Sequence, residues 1–515
     1  MSGGLARGWS VALVGVTGQL VSVEADVGSG LPGFALLGLP DAALNESRDR
    51  VRAAVVNTGE EWPKHKVTVS MSPADLHKRG SRFDLALAVV VLAADGKLPV
   101  EELEDRVLLG ELGLDGGLRQ LRGVLPAVTA AARAGIRRVV VPEPNAAEAA
   151  LVDGVEVVGV RSLGQLLAMF RGDPVPEAPA VPCIEGGGPP AVLEMPDLVD
   201  VRGHAEARLA LEVAAAGGHH IFLHGSPGAG KTMLASRLPG LLPRLSRKQA
   251  LEVTEIHSVA GLLPPAVPLV TAPPFCQPHH SATLAAMVGG GTVKEIRPGA
   301  AAIAHHGVIF IDEATEYRPG VLDSLRQPLE SGEVVIARSG ITARFPAQFQ
   351  MVMAANPCPC GAPSGPRSCT CTSDVRRRYA ARLSRPLLDR IDIQVMVDRP
   401  SRYELLQAPD GETSAVVASR VLAARQRAEH RLRNTSWSLN GQVSVRALRL
   451  QFQPDATAMR LVEAALDRGS LSARGMAKVL RVAWSMADLA GLDRPGMDEV
   501  GMALAFRAGA QGGWT

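Results

Sequence analysis

His220-Ile221-Phe222-Leu223-His224-Gly225-Ser226-Pro227-Gly228-Ala229-Gly230-Lys231-Thr232 is the stretch that decides the fold. The run 220–224 has the length and apolarity of a buried strand. The glycine-rich segment after it opens a helical pattern that runs through Met233 to Leu238. The segment reads Gly-x-x-x-x-Gly-Lys-Thr, in which glycines let backbone N–H groups close around phosphates at a helix N-terminus. Lys231 reaches the terminal phosphate oxygens and Thr232 offers its hydroxyl to Mg²⁺. Gly225, Ser226, Pro227, Gly228, Ala229, Gly230, Lys231 and Thr232 are therefore the expected ATP-binding residues, with Mg²⁺ as the second cofactor. A glycine-rich turn without nucleotide is the plainer reading, and the strand–loop–helix setting weighs against it.

Working outward, Val308-Ile309-Phe310-Ile311 forms a second apolar strand ending in Asp312-Glu313. Asp312 would hold Mg²⁺ and Glu313 would polarise the attacking water. A third strand, Gln350-Met351-Val352-Met353-Ala354-Ala355, ends at Asn356. Its amide is placed to orient water or sense the γ-phosphate; alone it would read as a turn-forming Asn before Pro357. Pro386-Leu387-Leu388-Asp389-Arg390-Ile391-Asp392 puts a cation before another apolar strand. Arg390 is read as an arginine finger toward a neighbouring subunit, against a local ion pair with Asp389 or Asp392. Arg474 opens a late helix that would fold over the nucleotide as a second sensor, with Arg481 as the substitute.

A chain of 515 residues implies roughly three domains. Residues 1–170 alternate short apolar runs (67–71, 138–141) with helical stretches (85–94, 125–134), an α/β pattern. Residues 171–196 dissolve into Pro, Gly, Ala and Glu and read as a linker. Residues 197–400 return to alternating strands and helices. Residues 401–515 read as helical, with breaks near 434–441 and 491–495, so a P-loop α/β core carries a helical lid. No run of 18 or more apolar residues is present, and no signal segment opens the chain. The expectation is a cytoplasmic protein with reduced thiols and no membrane partner. A net charge of +2 neither requires nor excludes nucleic acid.

Four of the six cysteines crowd together as Cys358, Cys360, Cys369 and Cys371. Two readings stand: a structural Zn²⁺ site closed by the Pro-Gly-Ser-rich loop between the pairs, or free thiols in an ordered loop. The stretch 333–344 has strand-like ends around Arg338-Ser339-Gly340, so it should be a β-hairpin. Arg338 at its tip and Lys294 in the preceding insert are the candidate phosphate contacts for DNA without base preference; the bland reading is a solvated turn. Arg420, Arg427 and Arg431 read as a solvated helix face, and His279-His280 and His305-His306 as packing or pore contacts rather than metal ligands.

Taken together, the chain resembles the magnesium-chelatase-like AAA+ family known as YifB or ComM. The resemblance is carried by Gly30-Leu31-Pro32-Gly33-Phe34, Gly38-Leu39-Pro40-Asp41, Glu46-Ser47-Arg48-Asp49-Arg50-Val51-Arg52-Ala53-Ala54 and Pro73-Ala74-Asp75-Leu76-His77-Lys78. It continues in Pro278-His279-His280-Ser281, Val288-Gly289-Gly290-Gly291, Asn356-Pro357-Cys358-Pro359-Cys360-Gly361 and the Arg390 segment. It implies an N-terminal Lon-protease-like (ribosomal S5 domain 2-like) α/β domain, an AAA+ α/β core, a lid shared with chelatase subunits, and a homo-hexameric ring. In the ComM branch it implies a DNA helicase driving branch migration. The Lon-type Ser–Lys dyad is not expected to operate: Arg82 stands at the nucleophile position beside Ser81, and Leu125 stands where the lysine base belongs. The competing reading is a magnesium-chelatase-like or regulatory ATPase that remodels a protein partner.

Overall fold

The computed structural model describes residues 4–37, 42–73, 80–182, 196–264, 268–292, 296–338, 341–360, 369–407 and 411–508. The first part is a seven-stranded mixed sheet. Its strands are β1 (Leu5–Val14), β2 (Thr17–Gly28), β3 (Gly33–Leu37), β4 (Lys66–Ser72), β5 (Arg106–Leu108), β6 (Arg138–Pro142) and β7 (Glu156–Val160), ordered β3-β4-β2-β1-β5-β6-β7. Helices α1 (Ala42–Asn57), α2 (Asp84–Ala94), α3 (Val124–Arg133) and α4 (Leu163–Arg171) cover it. Every residue of α2 is buried, as expected of a helix between layers that is apolar all round after Asp84, whose buried carboxylate pairs with Arg50 at 2.6 Å. Ser81 hydrogen-bonds the Glu111 carboxylate, Leu125 is fully buried, and Arg82 donates to the carbonyl of Arg122 at 3.3 Å.

The second part holds a five-stranded, wholly parallel sheet. Helix α5 (Ala205–Gly217) precedes β8 (Ile221–His224), and α6 (Lys231–Ala235) and α7 (Arg247–Ala260) follow it. Next come β9 (Phe275–Cys276), α8 (Leu284–Val288) and a glycine hairpin of β10 (Gly289–Gly291) and β11 (Ile296–Pro298). β12 (Val308–Ile311) leads to a second hairpin of β13 (Glu333–Arg338) and β14 (Ile341–Pro346), then β15 (Gln350–Ala355) and β16 (Ile393–Met396). The sheet order β9-β12-β15-β8-β16 places the first core strand inside the sheet. The residues of β8, β12 and β15 are buried, matching sequences that are apolar except for His224 and Gln350 at strand ends.

The lid is helical: α9 (Ser414–Leu432), α10 (Ala456–Asp467), α11 (Ala473–Ala490) and α12 (Met497–Ala508). α11 packs on α5 and shares one apolar cluster with the sheet. Of the arginines of α9, Arg420 and Arg431 are half-buried against carboxylates, whereas Arg427 is exposed. Arg420 pairs with Glu212 (2.7 Å) and Glu412 (2.6 Å), Arg427 donates to the Asp488 carbonyl (2.6 Å), and Arg431 pairs with Asp488 (2.5 Å) while stacking on Trp484. Spacing on one helix cannot reveal that Arg420 and Arg431 face carboxylates brought in from α5 and α11. The first part also grips the second: the β1–β2 turn sets Val14 and Val16 against the second part's core, and Ser258 of α7 hydrogen-bonds the buried Glu148.

Candidate nucleotide site

Three parallel strands end together, and their C-terminal residues build the site. The loop after β8 needs glycine where the chains meet: a Cβ on Gly225 would lie 2.0 Å from the Val397 carbonyl oxygen. Gly228 and Gly230 take φ of +72° and +90°, which aims backbone N–H groups inward ahead of α6. Lys231 is buried, and its ammonium donates to the carbonyls of Gly225 (2.7 Å) and Ser226 (2.9 Å) and to Oδ1 of Asn356 (3.0 Å). Burial lowers its pKa, while Asp312 and Glu313 pull it back up. An ammonium held so by its own loop fits a phosphate, whose oxygens can take over these contacts.

Thr232 Oγ1 donates to Asp312 Oδ2 at 2.8 Å, bringing hydroxyl and carboxylate from α6 and β12 to one point, an oxygen pair suited to Mg²⁺. The backbone N–H of Glu313 donates to Asp312 Oδ1 at 2.9 Å. Lys231, Thr232, Asp312, Glu313 and Asn356 thus converge. Arg399, which sequence reasoning passed over, donates to the Pro227 carbonyl at 2.9 Å. Its signal was a cation just beyond the strand that flanks the loop.

Arg390 stands elsewhere. It ion-pairs with Glu330 rather than Asp389 or Asp392, donates to the Pro386 carbonyl at 2.8 Å, and keeps a buried Nε without a partner. Burial, then Arg326 and Arg474, push its pKa down. Arg474 thus lies near enough to Arg390 to repel it electrostatically; the sequence reading has it folding over the nucleotide as a second sensor. Arg481 donates to the Val443 carbonyl inside the lid.

The sulfurs of Cys358, Cys360, Cys369 and Cys371 all lie within 4.8 Å of one another. Tetrahedral zinc with Zn–S near 2.3 Å needs sulfurs about 3.8 Å apart, so this cluster fits that ion. Glu252, His305 and His306 also converge, but Nδ1 of His305 accepts the Gln348 N–H at 3.0 Å. The neutral ring must then carry its proton on Nε2, the atom facing Glu252, where a metal would need a lone pair. Arg338 is exposed, and its guanidinium hydrogen-bonds only the Ala337 carbonyl (3.1 Å) among the described residues. Lys294 lies outside the described residues.

A parallel sheet of this order, a phosphate loop after its first strand, acids after its third and a C-terminal helical lid define a magnesium-chelatase-like AAA+ fold. Family models agree: magnesium chelatase subunit ChlI matches residues 197–405, its C-terminal part matches 411–507, and a model described as subunit ChlI of Mg-chelatase matches 23–145. Among relatives, a Mycobacterium tuberculosis protein is 52% identical over 98% of both chains. YifB of Salmonella typhimurium is 39% identical over 96% of both, and competence protein ComM of Haemophilus influenzae is 38% identical over 98% of this chain and 97% of its own. The chain belongs to the YifB/ComM family of magnesium-chelatase-like AAA+ proteins.

Proposed function

We propose that the protein is an ATP-driven, homo-hexameric DNA motor that promotes branch migration during recombination or uptake of DNA. The observation that carries this reading is connectivity: the β13–β14 hairpin joins β12, which ends in Asp312-Glu313, to β15, which ends at Asn356. A segment slung between two strands of the nucleotide site can move when that site changes, and it displays Arg338 to solvent. The Haemophilus influenzae relative is a competence protein, in keeping with a DNA substrate.

In this reading Lys231 leaves its carbonyl partners for the phosphates of ATP, and Asn356 is released to orient the attacking water. Glu313 takes that water's proton. When bound, Mg²⁺ supplies charge neutralisation at the oxygens of Thr232 and Asp312. Arg390, with Arg474, would meet the nucleotide of the next subunit. Arg338 and Lys294 hold the DNA backbone, and the four cysteines hold a structural Zn²⁺. The N-terminal domain is a catalytically inactive Lon-protease-like module, because Ser81 faces a carboxylate and Leu125 is buried where a base is needed. The deciding experiment measures ATP turnover and salt-dependent binding to single-stranded and four-way-junction DNA by the purified full chain. Binding that weakens linearly in log salt, with junction migration coupled to turnover, is expected. Failure to bind any DNA form removes the DNA reading and favours remodelling of a protein partner.

A further inference from the structure

The backbone on either side of Arg390 is held by the lid. A short helix, Arg385–Leu388, sets its buried Leu387 in the core, and the chain then passes through Asp389, Arg390, Ile391 and Asp392 into β16. Within that passage the Ile391 carbonyl oxygen accepts two charged donors at once. The Lys478 ammonium of α11 and the Arg507 guanidinium of α12 each donate to it at 2.9 Å. Arg507 also reaches across Arg390, its Nη2 lying 3.8 Å from Oδ1 of Asp389, while Lys478 lies 3.5 Å from Oδ1 of Asp392. Residues 389, 391 and 392 are thereby tied to two lid helices, and Arg390 stands among them.

Two cations on one carbonyl repel each other, so this arrangement does not form by default. Burial, helped by Arg507, holds the Lys478 ammonium down to about 8 against the pull of Asp392. Donation from a charged group is short and directional, and it fixes where the accepting backbone sits. Both donors are themselves seated: Lys478 is buried, and Arg507 follows Phe506, which is fully buried in a helix that packs on β16. The Arg390 guanidinium folds onto Glu330 and the Pro386 carbonyl. Its backbone is thus fixed, while its tip rests on contacts that another anion can replace.

We infer that Arg507 is a positioning residue for Arg390: with Lys478 it locks the backbone beside that arginine to the lid, so the lid of each copy sets the arginine that this copy offers to its neighbour. This rests on reading Arg390 as acting across a subunit boundary. Arg507 is the member to replace, because Lys478 also neutralises the buried Asp392.

The test is steady-state ATP hydrolysis by the full-length chain, comparing the parent with Arg507→Ala, Arg507→Gln, Arg507→Lys and Arg390→Ala, each alone and mixed with Lys231→Ala. Arg507→Ala and Arg507→Gln should lower kcat about tenfold or more with KM for ATP within about twofold, since the copy's own phosphate loop is untouched and only a transition-state contact is misplaced. Arg507→Lys keeps a charged donor for the carbonyl and should stay within about threefold of the parent. In mixed rings, confirmed by native mass spectrometry, the Lys231→Ala copies bring an intact Arg507. Turnover per intact phosphate loop should then rise above that of Arg507→Ala or Arg507→Gln alone, whereas damage to a copy's own nucleotide site gives no rise. Parent-like kcat in both variants, a Lys variant as slow as the Ala one, or no rise on mixing while Arg390→Ala does recover overturns the inference and leaves the reading of Arg390 standing. Failure of both variants to assemble makes Arg507 a residue of the fold alone and overturns it equally. No recovery by Arg390→Ala in confirmed mixed rings overturns that reading and the inference with it.

Discussion

Lys231 and Glu313 both belong to the strand-end site, where Glu313 acts electrostatically on Lys231, and they should fail in different ways. Lys231 carries a positive charge into a buried loop and spends it on two carbonyls and the Asn356 amide until phosphate replaces them. Lys231→Ala should therefore abolish nucleotide binding, read with a fluorescent ATP analogue. Glu313→Gln keeps the shape and loses the proton acceptor, so ATP should stay bound while phosphate release drops about 10²-fold or more. Normal phosphate release by Glu313→Gln would mean another group handles the water. The converging residues were legible in the sequence because each is tied to a strand end, and buried apolar runs mark strand ends plainly. Arg507 and Glu330 were not, because their partners lie on other elements and meet them only through sheet order and helix packing.

At the scale of elements, the lid is joined to the core by buried charge as well as apolar surface. Asp392, just before β16, lies 3.5 Å from the Lys478 ammonium of α11 and 3.7 Å from His219. Burial would raise the Asp392 carboxyl, but Lys478 and His219 more than reverse this and hold it far below the ordinary carboxylate range. Its stabilising contribution is thus present above the unfolded value near 4 and lost as pH falls through and below it. His220, pushed down to about 4 by burial, works in the same direction: from about 6.5 to 4 the unfolded chain takes a proton that the folded one refuses. Acidification below about 6.5 should therefore lower the thermal midpoint. Asp392→Asn, which strands Lys478, should cost about 3 kcal/mol at neutral pH in a denaturant titration; a loss well under about 1 kcal/mol would show the pair to be dispensable. The cysteine loop makes a separate prediction: one zinc per chain in protein purified without a metal-affinity tag, and none in Cys369→Ser. A zinc-free parent would leave four free thiols. The hairpin makes another, since among the described residues the Arg338 guanidinium hydrogen-bonds only the Ala337 carbonyl of its own strand. Arg338→Ala should leave DNA-free ATP turnover intact, lower the log–log salt slope of DNA binding by about one unit for every sequence, and stop junction migration. The hairpin itself was readable from its strand-like ends. The inward turn of Arg420 and Arg431 was not, because helical spacing reports a face and not what the face meets.

At the scale of the whole molecule, the question is why one chain carries two separate sets of charged residues. Lys231, Thr232, Asp312, Glu313 and Asn356 form one; Arg326, Arg390 and Arg474 form another, with Glu330 as the carboxylate on Arg390. Gathering three guanidinium groups is unfavourable unless an anion joins them, and the buried Nε atoms of Arg326 and Arg390 find no hydrogen-bond acceptor among the described residues. The proposed head-to-tail ring would resolve this, because each interface would then pair the phosphate loop of one copy with the arginine patch of the next. Arg390 in the single chain is folded back on Glu330, and in such a ring the neighbour's γ-phosphate would be the stronger anion to draw it out. Loss of the patch in one subunit and loss of the loop in another should then complement. Arg390→Ala and Lys231→Ala should each be inactive alone, yet mixed rings should regain part of the parent's ATP turnover at those interfaces where an intact loop faces an intact arginine. Native mass spectrometry of the mixture establishes that subunits have exchanged before the rate is read. Recovered turnover places Arg390 across the interface; confirmed mixed rings with no recovery would make Arg390 an intramolecular partner of Glu330 alone.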